Sequence, residues 1–359
     1  MMAPPRPEAW CSLPWLSLEF SDAMGIRPCS HSRDFFPLSS TNLHDLWRSR
    51  DMGNARYEIV SGRRPKGCSS CTQLEDQGMK SPRQIENEKQ PFKDHRALEK
   101  LALTSSPFEF SMRLEEGVTS ILSFPENQTV IRNWAPTLQK ISFQGDEPFR
   151  HSSFLSTLKT LRSSGEAGHV NLTFFSDLGN FENEVTELIP HFRKTEVFLN
   201  FLDFGSRQDF INSHKWETIE KNLRKYQALS GERTSIVILC RVNIFNMFSL
   251  AEILEWLKAN FPEFKISLDF QSATREFSIR NLPPKAKSEL GHILKFITAD
   301  SYNFIEGSGV RPVLEYLGLE GDIHLIRSGV TLFLQSHNRL EEDFKRQFPK
   351  LSGFIQETV

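Results

Sequence analysis

At 359 residues the chain is long enough for one large domain and one small one, each able to bury its own core. Its 43 basic and 45 acidic residues leave a net charge of -2 with no run of like charges, which argues against a nucleic-acid footprint or any polyanion partner. The longest apolar runs, such as SIVILC, are strand length and far short of the ~20 residues a bilayer span needs, and MMAPPRPEAW lacks the apolar core of a signal peptide; a cytoplasmic location without membrane association is expected.

Residues 1–9 are proline-rich and read as disordered. From Trp10 to Cys71, short strands and turns alternate: CSLPWLSLEF, the turn SDAMG, then IRPCSHSR. A helix follows, capped by Thr41 or Asn42, with Leu43, Leu46, Trp47 and Met52 at helical spacing and Gly62 closing it. The turn RRPKG delivers Cys68, and a second helix opens at the pair Cys68 and Cys71. Residues 10–75 thus read as a small cysteine-rich α+β unit, and the polar stretch 76–106 as a helical linker.

From residue 107 the pattern changes. FEFSMRL is a strand with alternate apolar residues, a helical segment closes at Ile131 to Ala135, and LQKISF is a second strand running into the turn Gly145-Asp146-Glu147-Pro148. HVNLTFF, TEVFLNFLD, TSIVILCRV and FKISLDF follow as strands with helices between them, which predicts a parallel α/β sheet over 107–270. The stripe Trp216, Ile219, Leu223, Tyr226 is a core face of one such helix. Residues 271–359 read as a mainly helical tail, whose glycines in GSGVRPVLEYLGLEGD do not follow dinucleotide-fold or P-loop spacing. The surplus of 30 phenylalanines over 4 tyrosines implies an apolar, closely packed core and nothing more specific.

Cysteine is the informative residue. Cys11, Cys29, Cys68 and Cys71 gather in the first 71 positions, whereas Cys240 lies in the apolar run IVILCRV and reads as core. Two disulfides would be possible outside the cell; in a cytosolic chain a metal site is the better reading. A CxxC turn offers two thiolates, the hairpin two more, and four sulfurs complete either a [4Fe-4S] cube or a tetrahedral zinc, between which spacing does not choose. His31 and His44 lie near these cysteines but are not needed as donors. Carboxylates fall at the predicted carboxyl ends of the strands, at Asp146, Glu147, Asp177, Asp203 and Asp269, where parallel barrels place their sites. With Arg241 they would suit a polar or cationic ligand; the plainer reading is that Asp177 and Asp203 cap turns and Glu147 accepts bonds within its own loop.

Several of these residues resemble one family. Cys11, Pro14-Trp15, Gly25, Pro28-Cys29, Trp47, Cys68, Cys71 and Arg83-Gln84 follow the order found in the twitch (SPASM-like) region of radical SAM enzymes, with a Gly-to-Cys interval one residue short and Ser30 where a second cysteine often stands. The strands from FEFSMRL onward are similar to that family's barrel. The resemblance implies a partial, six-unit TIM-type barrel, a twitch-like domain carrying a [4Fe-4S] cluster on Cys11, Cys29, Cys68 and Cys71, and a remnant S-adenosylmethionine pocket near Gly145, Asp146, Glu147, Pro148, Asp177 and Asp203. It also exposes a loss. The family's CxxxCxxC loop falls where Val118, Leu122 and Pro125 stand, and its GGEP turn reads Gly145-Asp146-Glu147-Pro148. Valine, leucine and proline carry no donor for iron, so S-adenosylmethionine chemistry is not expected. The resemblance therefore implies a pseudoenzyme whose partner is a peptide, a protein or an active paralogue. The alternatives are an enzyme of another class using the barrel-mouth carboxylates with a divalent metal, or an electron carrier.

Overall fold

The computed structural model describes residues 10–76, 78–89, 106–115, 117–145, 147–270, 273–295, 297, 302–305 and 309–357. The protein is mixed α/β with an eight-stranded sheet. It divides into two compact units, Met1–Phe175 with Glu182–Glu196, and Ser176–Phe181 with Val197–Val359.

The first unit begins with helix α1 (Leu13–Leu16), where Pro14 sits in the first turn and loses no hydrogen bond there. Strand β1 (Ser17–Ser21) follows and pairs antiparallel with β2 (Gly25–Arg27). Gly25 is obligatory: its φ is +110°, and a Cβ would lie 1.9 Å from the carbonyl oxygen of Phe36. The single helix predicted after Asn42 is two. Asn42 caps α2 (Leu43–Trp47), and Ser49 caps α3 (Arg50–Val60) by accepting from Met52 N, so the chain restarts its helix after Arg48. Helix α4 (Ser69–Asp76) opens between the CxxC cysteines, and α5 (Pro82–Lys89) begins the stretch read as linker.

Strand β3 (Glu109–Leu114) buries Phe110, Met112 and Leu114 in strict alternation. It lies parallel to β1, Ser17 opposite Glu109 through to Ser21 opposite Arg113, so the cysteine-rich hairpin adds strands to the same sheet. After α6 (Pro125–Trp134), strand β4 (Lys140–Gly145) pairs parallel with β3, and after α7 (Ser152–Ser163), β5 (Asn171–Ser176) pairs parallel with β4. Each crossover carries a helix, as parallel pairing requires.

In the second unit, β7 (Thr234–Arg241) and β8 (Lys265–Asp269) pair parallel. Strand β6 (Lys194–Phe201) precedes them, and between the strands lie α8 (Gly205–Ile211), α9 (Trp216–Leu229) and α10 (Leu250–Asn260). Ile219, Leu223 and Tyr226 of the predicted stripe are buried, as is Cys240. The helical tail closes on a ring cluster in which Phe245 meets Phe277, Phe333 and Phe348 at centroid distances of 5.2, 4.9 and 5.5 Å. Here the phenylalanine surplus has its use, since edge-to-face rings fill volume without a hydroxyl that would need a partner. Among the described residues, no helix is long and apolar enough to cross a membrane.

Candidate metal centre

Three chain segments bring four cysteines to one place. Cys11 precedes α1, Cys29 follows β2, and Cys68 and Cys71 sit on the turn into α4; all four line one cavity of about 430 Å³, counted with its open mouth. Cys11 and Cys71 are buried, while Cys29 and Cys68 are half-buried. All are free thiols, so no disulfide joins them. Among the described residues, no three His, Cys, Asp or Glu side chains already form a metal-holding group. The sulfurs share a cavity and would have to close onto an ion.

The framework holding the segments does not pass through sulfur. Ser17 Oγ donates to Pro28 O at 2.6 Å, and Arg27, paired with the buried Glu19 at 2.5 Å, donates to Ser32 O at 2.6 Å, which fixes the turn after Cys29. Arg33 N donates to Gly67 O at 2.9 Å, and the Arg33 guanidinium reaches Ser70 Oγ and Gln73 Oε1 at 3.0 and 2.7 Å, joining that turn to the CxxC turn. Arg83 of α5 donates to Trp10 O at 2.8 Å and forms a two-pronged pair with Glu75, one prong at 3.0 Å. Asn87, also on α5, accepts from Ser12 N and donates to Trp10 O, both at 2.9 Å. The Cys11 segment is thereby tied, through α5, to the helix that carries Cys71.

The electrostatics are those of a site shaped for thiolates that need a cation. Burial pushes the Cys29 thiol up to about 12 and the Cys68 thiol up to about 11, with neighbouring sulfurs adding to both; burial also raises Cys11. Left alone, such groups stay protonated; a metal ion displaces the protons. The wall carries two guanidiniums, Arg64 and Arg83, beside His31, whose pKa burial lowers; among the described residues no Asp or Glu lines the cavity. Four thiol donors with a cationic wall fit a tetrathiolate complex, whose net charge is negative. His44, on α2, faces a different surface depression with Asn42 and Asp45.

The loop after β3 is sewn shut. Asp22 in the hairpin turn accepts from Ile121 N at 2.8 Å, and Glu115 accepts from Ser21 Oγ and Ala23 N at 2.7 and 2.9 Å. Leu122 is fully buried and Pro125 opens α6, so two of the three positions matched to the family's catalytic cysteines serve packing and helix initiation; Val118 is partly exposed. At the end of β4, Gly145 has a φ of +96°, and a Cβ there would meet Leu114 O at 2.2 Å. Glu147 is buried and accepts from Phe149 N at 3.4 Å, Pro148 begins a short 3-10 turn, and Asp146 lies outside the described residues.

The carboxylates of the second unit are tied into their own loops. Asp177 accepts from Gly179 N at 2.8 Å and lies 3.3 Å from His214 Nε2, in a loop where Leu178 takes the unusual φ of 66°. Asp203 is wholly buried against Arg207 at 2.9 Å, Ser249 Oγ at 3.0 Å and Phe204 N at 2.8 Å; burial raises its pKa despite these partners. Asp269 ends β8 opposite Arg241. Sequence reasoning missed Arg33, Glu75, Asn87, Asp22 and His214. Arg33, Asn87, Asp22 and His214 act over long chain separations, whereas Glu75 meets Arg83 close by in the chain, and Arg83 carried a signal through its place in the pattern read from the sequence.

No family model matches the chain, and no curated protein matches it. Among solved structures, similarity is found to native anSMEcpe with bound AdoMet and Kp18Cys peptide, at 14% identity and a TM-score of 0.35 over 47% of this chain and 50% of that one. SuiB of Streptococcus suis bound to S-adenosylmethionine is similar at 11% identity and a TM-score of 0.38, over 80% of this chain and 69% of that one. SuiB bound to its precursor peptide SuiA is similar at 11% identity and a TM-score of 0.40, over 80% and 70%. The chain spans about half of the anSMEcpe length. Likenesses this distant assign neither fold nor activity, so the functional reading rests on this chain's own residues.

Proposed function

We propose that the chain is a degenerate radical SAM-like protein, a partial barrel with a twitch-like region over 10–75, that carries an auxiliary-type [4Fe-4S] cluster on Cys11, Cys29, Cys68 and Cys71. Its role is non-catalytic: a cytoplasmic binding subunit for a peptide or for an active paralogue. The observation that carries the reading is the convergence of those four cysteines, from three chain segments, on one cavity walled by Arg64 and Arg83 and, among the described residues, lined by no carboxylate. The closed loop around Ile121, Leu122 and Pro125 supports the absence of a second cluster, because Asp22, Glu115 and a buried leucine occupy its surroundings. When bound, the cluster supplies a one-electron couple or a structural anchor; the protein supplies four thiolates and the charge around them. The peptide partner rests on the sequence resemblance alone.

The test is anaerobic purification with iron, sulfide and zinc quantification, and electron paramagnetic resonance with and without S-adenosylmethionine. About four irons per chain, lost in the Cys68→Ser/Cys71→Ser variant and giving a signal indifferent to S-adenosylmethionine, is the expected result. Zinc in place of iron would make the site a structural staple. A signal shifted by S-adenosylmethionine would overturn the degenerate reading. The partner is sought by co-purification with candidate precursor peptides and with a radical SAM paralogue from the same cell.

A further inference from the structure

Two arginines line the cysteine cavity, and they differ in how their charge reaches it. Arg64 is paired with Asp76 at 2.9 Å, with side chains 44% and 64% exposed, so water and salt screen both. Arg83 and its partner Glu75 are about 10% exposed each, out of reach of that screening. Of this buried pair only Arg83 stands on the cavity wall; Glu75, one helical turn beyond Cys71, does not line it. The arginine is always charged, and it shares the cavity wall with Cys11, Cys29, Cys68 and Cys71.

We infer that the Glu75–Arg83 pair is a charge lever on the four-sulfur site: Arg83 faces the sulfurs and stabilises their negative charge, and Glu75 behind it sets how much of that positive field is left. The pair therefore tunes the reduction potential of the bound cluster, or the affinity for zinc if zinc is the ion. This inference rests on the metal reading above.

The two members make opposite predictions, which separates electrostatics from mechanical support. Both Glu75→Gln and Arg83→Gln break the same ion pair, so a strut that merely holds Cys11 near Cys71 would be weakened in the same direction by either change. As a lever, Glu75→Gln leaves an uncompensated positive charge at the wall and makes the cluster easier to reduce. Arg83→Gln leaves a buried carboxylate and makes it harder.

The experiment is a redox titration of the reconstituted full chain, followed by electron paramagnetic resonance, on wild type, Glu75→Gln, Arg83→Gln, Arg83→Lys and the double Gln variant, with circular dichroism to confirm folding. The expected result is a shift of about tenfold in the reduction equilibrium, about 59 mV for a one-electron couple, upward for Glu75→Gln and downward for Arg83→Gln. Arg83→Lys should stay near wild type and the double variant between the singles. If zinc is the ion, chelator competition should show the same opposite signs in affinity. Should Arg83→Gln fail to fold, Glu75→Gln and Arg83→Lys still decide: a downward shift or no shift in Glu75→Gln overturns the inference. Shifts of the same sign in both singles overturn it while leaving the metal reading intact. A wild type that takes up neither iron nor zinc overturns the metal reading and this inference with it.

Discussion

Replacing Asn127 with alanine removes three hydrogen bonds at once from a position that water does not reach. Asn127 is fully buried; its Oδ1 accepts from Leu43 N at 2.9 Å, and its Nδ2 donates to Thr41 O at 2.7 Å and to Ile121 O at 2.8 Å. One amide thus joins the start of α2, in the cysteine-rich region, to the closed loop after β3. Each such bond contributes about 1 kcal/mol net, and each stranded main-chain group costs about as much again where no water can enter. The sum for Asn127→Ala is about 3 kcal/mol or more, a large share of the stability of one unit. The assay is urea denaturation followed by tryptophan fluorescence, since Trp10, Trp15, Trp47 and Trp134 all belong to the first unit. With a slope of about 1–3 kcal/mol per molar urea, the midpoint of that unit should fall by about 1 M or more at unchanged slope. A fall worth less than about 1 kcal/mol would refute the reasoning, because it would mean that the three main-chain groups find other partners without cost.

Three further outcomes follow from the same geometry. Gly145→Ala places a Cβ within 2.2 Å of Leu114 O, in a ladder position where Leu114 and Gly145 are directly opposed; the register of β3 on β4 must yield, and a loss of at least about 2 kcal/mol is expected in the same urea assay. Cys240, wholly buried with its thiol pushed up to about 12 by burial, should resist iodoacetamide in the native state and react only as the second unit opens. Because its folded pKa lies above the unfolded value of about 8.5, the thiol's contribution is fully present at neutral pH and is lost as pH rises from about 8.5 toward about 12. Wild type should therefore lose stability over that window by up to about 1.4 kcal/mol per pH unit more than Cys240→Ala; identical slopes would contradict the assignment.

What could be read from the sequence, and what could not, divides by range. FEFSMRL announces β3 because Phe110, Met112 and Leu114 alternate, and the clustering of four cysteines in the first 71 residues pointed to the region in which they line one cavity. The break between α2 and α3 has a local signal in Ser49, a good cap, but the apolar spacing of Leu46 and Met52 runs across it and masks it. The parallel pairing of β1 with β3 had none, since strands so far apart in the chain leave no periodicity that links them. The same holds for Arg83 reaching Trp10 and Asn127 reaching Leu43. The phenylalanine surplus was visible as a count, and only the ring contacts around Phe245 give it a location.

The pairing of β1 with β3 bears on how this chain can be cut. A boundary drawn from the cysteine pattern would invite removal of everything before residue 76, leaving the remainder for separate study. That cut would strip β3 of its neighbour along five consecutive register positions, Glu109 to Arg113. The main-chain amides and carbonyls that β1 now satisfies would become a bare edge, flanked by Phe110 and Met112, and open to the first strand of another molecule. The three-residue β2, bridged to Phe36 through Ile26, now stands at that margin as a short, blunt border. Whatever else the cysteine hairpin does, it covers the edge of β3 that would otherwise be left open to pairing.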